Sequence, residues 1–117
     1  MGFVPGSIVK RPVNGFWGLF YNHMGIYIGN DEVVHFSGES KKADDAIIRK
    51  DKLQAFAAGH EVRLHASPKN SEHANAICQE AQRLLVNRSN GYNEQYGFVA
   101  RNCEDFCVHC YEVLYRT

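Results

Sequence analysis

No apolar stretch in these 117 residues approaches the roughly 18 needed to cross a bilayer, which excludes a transmembrane helix. The N-terminus, MGFVPGS, lacks the charged flank and apolar core of a secretory signal, so the expected location is the cytoplasm. An excess of one charge is missing too. Lysine plus arginine number 13, as do aspartate plus glutamate, and without a net field strong nucleic-acid binding is not expected. Internal repeats, low-complexity tracts and linkers are absent, and the length suits one domain over residues 1–117 with a single core. In a reducing compartment the four cysteines read as free thiols before they read as a disulfide framework.

What is present is a run of β signals followed by helical ones. PGSIVKRP predicts a strand over Ser7–Arg11, ended by Pro12. VNGFWGLFYN is glycine- and aromatic-rich and reads as a loop. HMGIYIGNDEVVHF carries the clearest hairpin signal. With Gly29-Asn30-Asp31 as a three-residue loop, Ile28 pairs with Glu32, Ile26 with Val34 and Gly25 with His35. Met24, Ile26, Ile28, Val34 and Phe36 then share one face, and His23, Gly25, Tyr27, Val33 and His35 the other. His23 becomes a diagonal neighbour of His35, about 7 to 8 Å away, with open space over Gly25. A plain two-residue loop would instead put the two imidazoles on opposite faces.

GESKKADD reads as a polar loop, AIIRK and EVRLHA as further strands, and DKLQAFAAG as a short helix ending at glycine. Ser71 is the expected N-cap of a helix with Ala74, Ile77, Cys78, Ala81, Leu84 and Leu85 on one stripe, which makes Cys78 core filler. A second helix is expected over Asn102–Tyr115.

RNCEDFCVHC holds three cysteines in eight positions. The spacing matches an iron–sulfur loop, but a chain of this size has no barrel to enclose that chemistry. Zinc lacks a fourth ligand, since His109 points away from the side that Cys103, Cys107 and Cys110 share. No metal or other cofactor is expected. With Asn102 as N-cap, Cys103 takes the first helical position, where the helix dipole and free N–H groups lower a thiol's pKa from about 8.5 and can hold an oxyanion. Glu104 and Asp105 act against that lowering. His23 and His35 are the candidate partners, because a nucleophilic cysteine needs a base and the base an orienting group. On the residues alone, Cys103 reads equally well as a reactive thiol or as a buried structural one.

NHMGIYIGNDEVVHF followed some 70 residues later by NCEDF resembles the H-box and NC motif of the lecithin:retinol acyltransferase-like family, within the NlpC/P60 group of papain-like thiol enzymes. PGSIVKRP is similar to the strand that opens those domains, and AIIRKDKL to their next strand and turn. The resemblance implies an α+β fold: a small antiparallel β-sheet packed against helices in the circularly permuted papain-like order. It implies Cys103 as nucleophile, His23 as the base of a thiolate–imidazolium pair and His35 as its orienting group. Tyr21 falls where it would support an oxyanion, with Asn102 beside the nucleophile, and the apolar GFWGLFY loop offers Trp17 and Phe20, with Met24, as candidates to line a substrate path. Met24 stands in place of the family's usual tryptophan and Asp105 in place of the histidine of NCEHF, departures that bear on substrate preference.

The expected activity is therefore that of a thiol acyltransferase or acyl hydrolase of the phospholipase type, acting on an acyl lipid or another ester or amide through an acyl-thioester on Cys103. The location would be cytoplasmic, with peripheral contact at membranes. The hydrophobic C-terminal anchor of mammalian phospholipase/acyltransferase members has no counterpart here, as in a bacterial or viral member or a chain cut short. Two alternatives stand beside this: a peptide- or isopeptide-directed enzyme, and a member without catalysis that binds a host or cellular protein, with Tyr92, Tyr96 and Phe98 as contacts.

Overall fold

The computed structural model describes residues 2–19, 21–37, 47–87 and 99–115. Within them five antiparallel strands, β1 (Ile8–Pro12), β2 (Asn22–Gly29), β3 (Glu32–Ser37), β4 (Ile47–Lys52) and β5 (Arg63–Ala66), form one sheet in the order β4-β3-β2-β1-β5. The helices that accompany it are α1 (Leu53–Ala57), α2 (Ser71–Val86) and α3 (Val99–Tyr111). Short 3-10 turns cover Phe16–Leu19, inside the segment expected to be a loop, and Val113–Tyr115. The class is α+β, as expected, with the sheet and helices of a small papain-like fold.

Alternation along the strands sorts the core into two layers. Ile8, Met24, Ile26, Val34, Phe36 and Ile48 face Ile77, Ala81 and Leu84 of α2 and Cys103, Phe106, Cys107 and Cys110 of α3. Val9, Tyr27 and Val33 face the other way, against Phe56 of α1. Cys107 and Cys110 are thus packing residues on the helix side. Cys78 is only half-buried and stands outside the core; His73 and Glu80 occupy buried positions of α2 instead.

The β2–β3 hairpin reaches the expected pairing by a different route. Asn30 and Asp31 both have positive φ, 52° and 63°, as a two-residue type I′ turn requires, and Gly29 pairs with Glu32. The register then shifts between Tyr27 and Gly29, leaving Ile28 as the extra residue of a β-bulge. The inserted residue restores the parity that the shorter loop would have inverted, so Ile26 pairs with Val34 and Gly25 with His35.

Two helix starts differ from expectation. Asn70, not Ser71, caps α2: its backbone is extended and its side-chain oxygen accepts the His73 N–H at 2.8 Å. α3 begins at Val99, because Ala100 and Arg101 are strong helix formers and no breaker lies between them and Asn102. Cys103 is therefore the fifth helical residue, one turn beyond the position expected for it. The GESKKADD loop and residues 88–98, with Tyr92, Tyr96 and Phe98, lie outside the described residues.

Candidate active site

β2 and β3 bring the two histidines together. Gly25 opposite His35 sets His23 on the diagonal, and His23 Nε2 and His35 Nδ1 are hydrogen-bonded at 2.9 Å. The space above Gly25 is not open: a Cβ there would fall 2.5 Å from Val33 Cγ1, 3.0 Å from Phe56 Cε1 and 3.1 Å from His35 Cβ. Phe56 fills it, stacked on His23 and edge-on to His35. Both imidazoles are buried, at 6% and 4% exposure.

The chain of polar contacts runs on past His35. Its Nε2 meets Asp51 Oδ2 on β4 at 2.8 Å, and Arg49 holds the same carboxylate from Nε at 2.8 Å and from Nη2 at 3.1 Å. Arg11 of β1, paired with His23 across the strands, is buried; its Nε donates to Phe56 O at 2.8 Å and its guanidinium lies 5.8 Å from the Phe56 ring centroid. Asp51, Arg11 and Phe56 are site residues that the motifs do not mark. Alternation in IIRKDK puts Arg49 and Asp51 on one face, and it becomes the face of His35 once β4 is placed beside β3. The missing piece of that signal is the strand order.

Cys103 approaches from the helix side. Its Sγ accepts the Met24 N–H at 3.4 Å and lies 3.9 Å from Asn22 O, so the sulfur rests on the β2 backbone on either side of His23. The side chain is wholly buried. Burial pushes the thiol up to about 11, with Glu104 adding to the rise, while the N–H groups of Met24 and Glu104 and the Arg11 cation offset part of it. The lowered thiol expected from a helix N-terminus is thus overturned twice over: the residue sits one turn inside the helix, past the four unsatisfied N–H groups, and it is desolvated. His23 is lowered to about 2, first by burial, then by His35 and Arg11. Burial thus favours the neutral form of both groups over a thiolate–imidazolium pair.

Burial also lowers His35, though Asp51 pulls it upward. Asp51 is raised by its own burial, but hydrogen bonds from His35 and Arg49 outweigh this and keep it below its ordinary value.

Of the other expected site residues, Met24 is buried in the core layer that contains Cys103. Tyr21 precedes β2, is 41% exposed and accepts the Val13 N–H at its carbonyl. Phe20 lies outside the described residues, as do the side chains of Trp17 and Asn102. Among the described residues no cluster of three or more His, Cys, Asp or Glu could hold a metal, and no helix is long and apolar enough to cross a membrane.

The fold and site define a class: a small papain-like α+β domain whose helix-borne thiol rests on the β2 backbone at Asn22 and Met24, the residues flanking His23. Residues 5–115 match the family described as lecithin retinol acyltransferase, and the chain belongs to that family. Among curated proteins no match is found. Membership assigns the chain to a family of acyltransferase or hydrolase type, with lipids or other esters as the substrate class.

Proposed function

We propose that the protein is a cysteine-dependent acyltransferase or acyl hydrolase in which Cys103 carries the acyl group as a thioester, His23 is the base and His35 orients His23. The observation that carries this is the His23–His35 hydrogen bond, with His23 on the β2 segment whose backbone rests against Cys103 Sγ. With Nε2 committed to His35, the other ring nitrogen of His23, Nδ1, is the one left to exchange a proton with the thiol.

Because burial favours neutral groups, the reaction starts by general-base catalysis. The thiol proton passes to His23 as Sγ attacks the ester carbonyl carbon. The tetrahedral adduct collapses with cleavage of the C–O bond, and the leaving alcohol takes that proton. Water or an acceptor alcohol or amine then attacks the thioester; His23 accepts its proton and returns it to the departing sulfur. Tyr21 and Asn102 support the oxyanion in this scheme, and Trp17 and Phe20 line the approach of an acyl lipid. In this reading the protein works in the cytoplasm, with peripheral contact at membranes where an acyl lipid is the substrate.

The complete burial of Cys103 favours a second reading, a binding module that retains the fold and recognises a cellular or host protein. Alkylation of Cys103 across pH separates the two. Catalysis predicts a neutral-pH rate at least about tenfold above that of His23→Ala, the two curves converging towards pH 11 where the thiolate forms unaided. Curves that superimpose throughout select the binding module.

A further inference from the structure

We infer that Asp51 is a positioning residue for the base: held by Arg49, its carboxylate fixes the hydrogen on His35 Nε2, and the His35–His23 contact passes that choice on, leaving His23 Nδ1 unprotonated. The inference rests on the reading of His23 as the base and adds what sets its polarity.

The hydrogens along the chain of contacts can be counted. An ionised carboxylate only accepts, so at 2.8 Å from Asp51 Oδ2 the His35 Nε2 must carry a hydrogen. A neutral imidazole carries one N–H, so His35 Nδ1 is then a lone pair. At 2.9 Å from that lone pair, His23 Nε2 must donate. His23 has then spent its own single hydrogen, and its Nδ1 is the acceptor a general base requires. The opposite polarity would arm His23 with an Nδ1–H, which cannot take a proton from a thiol. Around His35 stand Asp51 and Arg49 from β4, His23 from β2 and Arg11 from β1, while α1 contributes the uncharged ring of Phe56. Desolvation, with the two arginines, outweighs the pull of Asp51 and opposes a second proton on His35, so the neutral count applies. Where an orienting carboxylate of a serine–histidine–aspartate triad is neutralised without loss of geometry, the wrong tautomer costs about 10⁴ in rate.

The test is ¹⁵N NMR of the imidazole nitrogens in the full chain at neutral pH, with Asp51→Ala and Asp51→Asn compared with wild type. Expected are Nε2–H tautomers for both histidines in wild type, and loss of the single His23 tautomer both in Asp51→Ala and in Asp51→Asn, whose amide can donate to His35 as well as accept from it. An Nδ1–H on His23 in wild type, a doubly protonated His35, or an unchanged His23 tautomer in folded Asp51→Ala each overturns the inference. Should Asp51→Ala not fold, Arg49→Gln takes its place: releasing the carboxylate should blur the His23 tautomer, and an unchanged one overturns the proposal. Alkylation of Cys103 in the same variants reads the base assignment separately. A changed tautomer with an unchanged alkylation rate keeps Asp51 as the positioning residue and defeats His23 as the base.

Discussion

The ring of Phe56 stacks on that of His23, with centroids 5.3 Å apart and planes 29° apart, and meets His35 edge-on at 5.1 Å. One buried side chain thus fixes both imidazoles and keeps water from them, which couples the small α1 helix to the chemistry of β2 and β3. Phe56→Ala should cost about 3–5 kcal/mol in denaturant unfolding. Phe56→Leu, which keeps most of the apolar volume, should fold and still slow neutral-pH alkylation of Cys103, because the rings lose their stacking surface. Unchanged alkylation in Phe56→Leu would separate Phe56 from the site.

Gly25 gives a second prediction. The smallest added side chain meets Val33, Phe56 and His35 at or within 3.1 Å. Gly25→Ala should therefore destabilise by about 1–3 kcal/mol through overpacking and displace His35 from Asp51, readable as loss of the single His35 tautomer. A protein as stable as wild type with unmoved histidine signals would contradict this packing.

Period-two alternation is enough to put His23 and His35 on a shared face, and the pairing holds even though the turn is one residue shorter than the pattern suggests. The bulge at Ile28 leaves no sequence signal strong enough to distinguish it from a longer loop, yet either solution places the same side chains together. What the sequence conceals is non-local. Asp51 matters because β4 lies beside β3, and Arg11 because β1 pairs with β2; neither neighbour is encoded near its partner in the chain. The state of Cys103 departs from expectation for a related reason. Local signals point to a capped thiol at a helix start, whereas the helix begins a turn earlier and tertiary packing desolvates the sulfur.

Stability should fall on acidification in two stages. His23 is held far below the ordinary histidine value, so the unfolded chain takes up a proton that the folded one refuses; stability is complete above about pH 6.5 and declines below it, by about 1.4 kcal/mol per pH unit for each such group. The second stage belongs to Glu80. Arg83, in a two-pronged hydrogen bond at 2.7 and 2.8 Å, and then His109 at 2.6 Å, outweigh desolvation and hold it at about 2 against an ordinary 4.5. A depressed carboxyl stabilises above its unfolded value and loses that contribution as pH drops from about 4.5 towards 2. Glu80→Gln should cost about 1–3 kcal/mol at neutral pH and flatten the lower stage of a stability–pH curve, while His23→Ala flattens the upper one. A curve for His23→Ala parallel to wild type between pH 6.5 and 4.5 would contradict a buried neutral imidazole.

Acylation of Cys103 with His23 as its base is the step from which the proposed chemistry follows, and intact-protein and peptide mass spectrometry after incubation with a short-chain phospholipid decides it. Expected are an acyl mass on the peptide containing Cys103, none in Cys103→Ala, and a strongly reduced yield in His23→Ala. An adduct that forms equally well without His23, or no adduct on Cys103 in protein whose thiol alkylates in a His23-dependent way, would refute it.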